Sequence, residues 1–192
     1  LGYARHTELS AFTSLVDEMG NPVVDPLENC QKECRRIFRK SENFHVEYRA
    51  IKDRRELETF YNFLAISKAK HNARPVHSIA ELLDLQQRLN TAEKQGEHYE
   101  QIRFRGIWLS GRYIAGMMLF AFRDLKLIHA QYVAPDDNFW VFQPTTCLYV
   151  NALREAAREG FRNFSWGIST ENGGDYKEGF GAKTAVNVTY VK

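Results

Sequence analysis

The sequence lacks any long run of apolar residues. Its longest apolar stretch, residues 113–122, is about half of the ~20 residues that a membrane-spanning helix needs. We therefore expect a buried strand there and no membrane span. No charged segment followed by an apolar stretch and a cleavage site opens the chain at Leu1. This predicts that a signal peptide is not present and that the chain is a piece of a longer protein.

Cysteine is scarce, with three in 192 residues. A small, odd number argues against a disulfide framework and predicts a reducing compartment, most simply the cytoplasm. Cys30 and Cys34 are four residues apart and would share a helix face, which could suit a metal or a disulfide. No histidine or further cysteine lies close to them in sequence, so we expect two half-buried helix residues and no metal site.

Net charge is also small, at a formal +2, which does not by itself predict a nucleic-acid-binding protein. Its distribution is uneven, because residues 31–55 contain nine Lys or Arg against four Asp or Glu. This surplus could meet a phosphate backbone, or it could be a solvated helix face followed by a solvated loop. The apolar fraction of 44% and the charged fraction of 26% predict a soluble globular protein, and the length predicts one domain.

Hydrophobic periodicity and turn signals predict the order of the elements. A strand or hairpin within residues 1–29 is expected to pack on a domain formed by residues 30–192. The predicted order is then helix (from Pro26), strand, helix, helix, three strands, helix, strand, short helix and strand. The three consecutive strands form an antiparallel meander, and the apolar middle one is expected to be covered on both faces. The predicted fold class is α/β (α+β), a mixed, mostly antiparallel central sheet with helices on both faces.

Several stretches together resemble the GNAT-fold acyltransferases, and among them the Fem-like aminoacyltransferases and related acetyltransferase-like domains. They are RRIFRKSENFHVEYRAI with the following ETFYNFL, then SGRYIAGMMLF, then ALREAAREGFRNFSWGIS, and above all DYKEGFGAK. The last two blocks are the most specific, because they combine a helix ending in Glu-Gly-Phe with a Tyr-Lys pair shortly before Phe-Gly. The resemblance runs from about Cys30 to Lys192 and implies a GNAT-like sheet.

The resemblance implies an enzyme, a GNAT-type N-acyltransferase. It would move an acyl group such as acetyl from a CoA thioester to an amine by direct attack, with no metal. The acceptor would be a small-molecule or peptide amine, and acetyl-CoA or another acyl-CoA would be the donor. Two alternatives stay open. One is a Fem-like transferase that takes its aminoacyl group from tRNA, and the other is a non-catalytic GNAT-like domain that binds a ligand or a partner chain.

The segment PDDNFWVFQPTT departs from the CoA-binding pattern of the family. GNAT acetyltransferases place a glycine-rich turn there, so that backbone N–H groups and a helix N-terminus bind a pyrophosphate. This segment has no glycine, carries Asp136 and Asp137, and contains Pro144, which has no N–H. Fem-like proteins also lack the turn and take their aminoacyl group from tRNA, which agrees with the basic residues 32–40. However, they usually carry two such domains, whereas this chain has room for one.

The resemblance also implies where the donor enters. The strand before Gly167 and the strand leading to Ala134 would splay apart at the centre of the sheet, and the donor would enter the gap between them. The turn and short helix of residues 173–181 would lie beside the reacting carbonyl, where glycine lets the backbone approach a ligand. The residues implied to bind the donor are Val133, Gln143, Thr145, Gly173 and Gly174.

Three catalytic residues are implied by the same comparison. Lys177 would bring a positive charge to a donor carboxyl, a phosphate or a developing oxyanion. Tyr176 would stack on the donor or return a proton to its leaving group, and His129 would act as the base. From the residues alone, the alternatives are that Lys177 is a solvated helix lysine, Tyr176 a core aromatic and His129 a packed strand histidine.

The loop KHNARP supplies the implied acceptor site. His71 and Arg74 are predicted to hold an acidic or phosphorylated acceptor. The alternative is that both residues simply face solvent.

Overall fold

A computed structural model describes residues 4–90, 100–169 and 174–191. Its strands are β1 (Ala4–Ser14), β2 (Glu47–Ala50), β3 (Ile102–Leu109), β4 (Arg112–Phe122), β5 (Leu127–Pro135), β6 (Asn163–Ser169) and β7 (Lys183–Val191). Its helices are α1 (Lys32–Glu42), α2 (Arg54–Ala69), α3 (Ile79–Asn90), α4 (Pro144–Arg158) and α5 (Gly174–Glu178). Two short 3₁₀ helices span Pro26–Asn29 and Asp137–Phe142.

The strands form one seven-stranded sheet in the order β2–β3–β4–β5–β6–β1–β7. Its pairs are antiparallel except that of β5 with β6. Phe38 of α1 and Leu153 of α4 belong to one hydrophobic core, whereas Phe60 of α2 and Leu82 of α3 belong to another. The two cores lie on opposite faces of the sheet, so the predicted fold class is confirmed.

The central strand β4 contributes to both cores, as its sequence predicted. Met117 is buried in the core with α1 and α4, and the next residue, Met118, is buried in the core with α2 and α3. Successive side chains of a strand point to opposite faces. A strand covered on both faces is therefore apolar at nearly every position.

The N-terminal strand lies inside the sheet, where it pairs antiparallel with both β6 and β7. The sequence predicted a strand near residues 12–16 but gave no partner for it. In the structure β1 begins at Ala4, and the bridge between Val16 and Pro22 closes the turn that follows it. The partner strands come from the other end of the chain, which local sequence patterns do not reveal.

The prediction of one continuous helix from Pro26 is wrong in detail. The segment breaks into a 3₁₀ helix and α1, with Cys30 between them in an extended conformation. The break frees the N–H of Gln31 to donate to the carbonyl of Gly179 at 2.8 Å. This hydrogen bond joins the start of α1 to the turn that follows α5.

Two arginines of β3 attach the sheet to α4 through buried ion pairs. The guanidinium of Arg105 lies 2.7 Å from a carboxylate oxygen of Glu155, and that of Arg103 lies 2.7 Å from Glu159. The arginine side chains are only 9% and 4% exposed. The Tyr48 hydroxyl also donates to Glu155. Buried charges of this kind are stable only when each is paired.

Tyr113 gives a prediction about stability. Its hydroxyl is buried and has no hydrogen-bond partner among the described residues, while its ring packs against Trp108 and Phe63. Tyr113→Phe removes a desolvated polar atom and keeps the ring, so we expect the free energy of unfolding to rise by about 1 kcal/mol. Urea denaturation measures this change. Tyr61→Phe is the control, since its hydroxyl donates to the His77 carbonyl, and we expect it to lose stability.

Candidate active site

A gap opens at the centre of the sheet, between β5 and β6. The two strands pair in parallel at three positions, the last being His129 with Ser165. Beyond that point β5 stays paired with β4, as in Ala134 with Gly116, and β6 stays paired with β1, as in Ile168 with Ser10. The strands therefore separate at the place that the family resemblance implied.

Two β-bulges lie where the strands separate. On β5, Tyr132 and Ala130 pair with the consecutive β4 residues Met118 and Leu119, which leaves Gln131 as the extra residue. On β6, the register with β1 shifts in the same way and leaves Trp166 unpaired. A bulge bends its strand and changes where the following side chains point. The sequence analysis missed both bulges, since neither disturbs the hydrophobic pattern enough to be recognised.

His129 lies at the closed end of the gap. Its Nδ1 is 3.0 Å from the Ser165 hydroxyl and its Nε2 is 3.1 Å from the Gln131 side-chain oxygen. Burial lowers its pKa, and the positive charge of Lys177 lowers it further, while the hydrogen bond to Gln131 acts against them. His129 is therefore a neutral imidazole near pH 7 with a partner at each nitrogen.

Lys177 projects from α5 onto β6 just beyond the last pair with β5. Its Nζ donates to the carbonyl of Trp166 at 3.2 Å and to that of Ile168 at 2.9 Å. Partial burial lowers its pKa from the ordinary lysine value. The lysine thus places a positive charge beside the gap and also ties α5 to β6.

Tyr176 lies at the border of an aromatic cluster. Its ring centroid is 5.2 Å from that of Phe180 and 6.2 Å from that of Tyr149. The residue keeps 46% of its surface exposed. Burial of the hydroxyl end, with Tyr149 nearby, raises its pKa, so the phenol is protonated at neutral pH.

Four of the five residues predicted to bind the donor fall among the described residues. Val133 is half-buried on β5 beyond the bulge, and Thr145 is half-buried in the first turn of α4. Gln143 precedes α4 in a left-handed conformation with φ of 50°. Gly174 is the first residue of α5, whereas Gly173 lies outside the described residues.

The first turn of α4 does not fit the pyrophosphate of CoA. Pro144 has no N–H, and the N–H groups of Thr146 and Cys147 both donate to the carbonyl of Gln143. Asp136 caps the preceding 3₁₀ helix and Asp137 is its first residue, and their carboxylates form ion pairs with Arg112 and Lys70. Helix N-termini bind phosphates through free N–H groups and a favourable dipole, and here few such groups are free.

The predicted acceptor residues His71 and Arg74 both lie on the exposed loop after α2. The structure instead brings the end of this loop to β5. At the end of the loop, His77 Nδ1 lies 2.8 Å from the Tyr132 hydroxyl of β5. At its start, Lys70 forms an ion pair with Asp137 at 2.5 Å. The sequence analysis missed His77 and Tyr132 because their contact joins residues 55 positions apart.

Two further observations concern the described parts of the chain. No helix there is long and apolar enough to cross a membrane. No group of three or more His, Cys, Asp or Glu side chains there is placed to hold a metal ion.

Solved structures of other proteins share this architecture. A structure of FemX superposes with a TM-score of 0.71 at 11% identity over 92% of this chain and 59% of FemX. L-PGS from Bacillus licheniformis gives 0.64 at 10% identity over 99% of this chain and 62% of L-PGS. A GCN5-related glucosamine N-acetyltransferase region of a fungal β-N-acetylglucosaminidase gives 0.57 at 11% identity over 98% of this chain and 21% of that one. At such identities the likeness shows the fold alone.

The chain spans about three fifths of the length of FemX and L-PGS. No curated protein matches it. The family model described as acetyltransferase (GNAT) domain matches residues 28–178, which is most of the chain and includes the gap, His129 and α5. The resemblance stated from the sequence is therefore confirmed: this chain belongs to the acetyltransferase (GNAT) domain family, a family of N-acyltransferase enzymes with FemX among its structural neighbours.

Proposed function

We propose that this domain transfers an acyl or aminoacyl group from a carrier to the nitrogen of an amine, in the gap between β5 and β6. The observation that carries the proposal is that the strands separate just beyond His129 and Ser165, with Lys177 beside the opening. The amine attacks the acyl carbonyl directly. Catalysis then rests on placing the two reactants together and on stabilising the negative charge that develops on the carbonyl oxygen.

Each predicted catalytic residue has a task in this scheme. Lys177 stabilises the oxyanion by its positive charge. Tyr176, protonated at neutral pH, gives a proton to the leaving group. The sequence predicted the base at His129, which is neutral near pH 7 but has both ring nitrogens in hydrogen bonds. Val133 and Thr145 are proposed to contact the donor, as the sequence predicted.

The carrier follows from the chemistry of α4. The family suggests acyl-CoA in general, and a CoA thioester is the donor that the sequence predicted. The scarcity of free N–H groups after Pro144 favours a different carrier, an aminoacylated tRNA. Lys32, Arg39 and Lys40 are exposed on α1, and α1 begins at the turn beside α5. A basic helix next to the gap can meet a nucleic-acid backbone.

Calorimetric titration at low salt tests the donor. We expect a pool of aminoacylated tRNA to bind in the micromolar range and to weaken steeply as salt is raised, and we expect acetyl-CoA to give no heat. Arg39→Gln with Lys40→Gln should weaken tRNA binding, whereas Lys126→Gln, an exposed lysine at the β4–β5 turn, is the matched control. Micromolar binding of acetyl-CoA would contradict the tRNA assignment and restore the thioester. Binding of neither donor, without turnover, would favour a non-catalytic binding domain.

A further inference from the structure

His77 is a second histidine that the fold places against the central strands. It precedes α3, and its ring Nδ1 lies 2.8 Å from the hydroxyl of Tyr132 on β5. Its backbone carbonyl accepts a hydrogen bond from the Tyr61 hydroxyl of α2 at 3.1 Å. The residue is held at both backbone and ring, although it belongs to a connecting loop.

The bulge on β5 brings this pair to the same face as His129. His129 pairs with Phe120 and Tyr132 pairs with Met118, and positions two apart on β4 face the same side. The rings of His129 and Phe120 are stacked. Without the extra residue Gln131, positions 129 and 132 would point to opposite faces. Tyr132 therefore follows His129 along one face of β5, at the opening of the gap.

The two histidines differ in what their ring nitrogens contact. Both nitrogens of His129 have partners, Ser165 and Gln131. In His77 the partner of Nδ1 is Tyr132, and Nε2 has no hydrogen-bond partner among the described residues. When Nδ1–H donates to the Tyr132 oxygen, Nε2 carries a lone pair that can accept a proton. A base held by a third group in this way is a recurring arrangement in enzymes.

We propose that His77 is the catalytic residue that takes the proton from the acceptor amine, with Tyr132 as its positioning residue, and that His129 instead holds the closed end of the gap. This inference rests on the proposed acyl transfer to an amine. The N–C bond forms as the bond from the acyl carbon to the carrier's oxygen or sulfur breaks. The proton lost by nitrogen goes to His77 Nε2, and the leaving atom takes a proton from the Tyr176 hydroxyl; solvent then restores both side chains.

The groups that face His77 suit this role. Tyr61 of α2 and Tyr132 of β5 are neutral hydroxyls, and Glu81 of α3 is the nearby carboxylate. Hydrogen bonds from Ser78 lower the pKa of Glu81, and the charge of His77 lowers it further.

His77→Gln tests the assignment, with His71→Gln as the matched control on the same loop. We expect His77→Gln to lower kcat/KM for the amine about 100-fold and to abolish the dependence of the rate on histidine deprotonation between pH 5 and 8. A purely structural role would leave the shape of the pH profile unchanged. His71→Gln, whose ring lies on the exposed part of the loop, should keep the profile of the unmodified protein. Tyr132→Phe should lower the rate roughly tenfold, as expected for a lost hydrogen bond.

A second measurement needs no turnover and separates this inference from the proposed function. The unmodified protein is titrated with n-butylamine and followed by nitrogen NMR. Binding of the amine should shift the ring signals of His77 and leave those of His71 unchanged. If this shift occurs but no donor gives turnover, the proposed acyl transfer is contradicted, while binding of an amine beside His77 is supported. An unshifted His77, or a His77→Gln variant with an unchanged pH profile, would overturn the inference.

Discussion

Glu155→Gln is expected to lower the free energy of unfolding by about 3–5 kcal/mol, a large fraction of the stability of a domain of this size. The substitution keeps the shape of the side chain and removes its charge. Arg105 and Arg103 would then lose the buried carboxylate that they share and keep only the partly exposed Glu100 and Glu159. Breaking one side of a buried ion pair costs more than the pair contributes, because an uncompensated charge is left in the interior.

We also expect the free energy of unfolding to depend on pH through the Glu155 carboxylate. Burial raises the pKa of Glu155, but the hydrogen bonds and positive charge of Arg105, together with the Tyr48 hydroxyl, outweigh it, so the pKa lies below the usual glutamate value. A carboxyl with a depressed pKa in the folded state stabilises the fold above its unfolded pKa. That contribution disappears as pH falls through the folded pKa. The unmodified protein should lose this stability in acid, whereas Glu155→Gln has none of it to lose.

Urea denaturation at pH 7 and across the acidic range measures both effects. Glu58→Gln is the matched control, because it breaks the exposed ion pair with Arg54, and exposed pairs contribute little. We expect that control to change stability by less than about 1 kcal/mol. Equal effects of the two substitutions would mean that the contacts of β3 with α4 do not depend on the buried charges.

Lys177→Ala is expected to reduce kcat about 1,000-fold while the domain stays folded. Removing one donor aimed at a developing oxyanion typically costs 10²–10³ in kcat, and this change also removes the tie from α5 to the Trp166 and Ile168 carbonyls. Lys177→Arg keeps the charge but not the compact ammonium, so partial recovery is expected. Since burial lowers the pKa of Lys177, activity should also fall at a lower alkaline pH than for an exposed lysine.

Steady-state kinetics with the donor identified by calorimetry, and circular dichroism of each variant, measure these effects. Lys183→Ala is the matched control, because this lysine is exposed at the start of β7. Its rate should stay within about twofold, as expected for a surface side chain outside the site. If a Lys177→Ala variant keeps its kcat, the lysine takes no part in catalysis and serves only to bind the carbonyls of β6.

The sequence predicted the features that depend on neighbouring residues. Apolar periodicity places α2, α4 and the β3–β4–β5 meander correctly, because the period of a helix or strand shows within a short window. The motif DYKEGFGAK predicted the short helix α5, and the structure places Lys177 of that helix against β6. The absence of glycine around Pro144 predicted the poor fit to a pyrophosphate, since the lack of an N–H on proline is a local property.

Only the tertiary structure decided which distant residues meet. His71 and His77 share one loop and look alike in sequence, yet only the contact with Tyr132 brings His77 to the sheet. That contact needs the β5 bulge, which turns Tyr132 toward the core with α2 and α3. The place of β1 between β6 and β7, and the burial of Arg103 and Arg105 beneath α4, likewise join segments far apart in the chain. By itself the sequence determined the kinds and order of the elements and the family, because those rest on local patterns. The proposed base, His77, and the proposed position of the basic helix α1 beside α5 depend on long-range contacts that only the folded chain supplies.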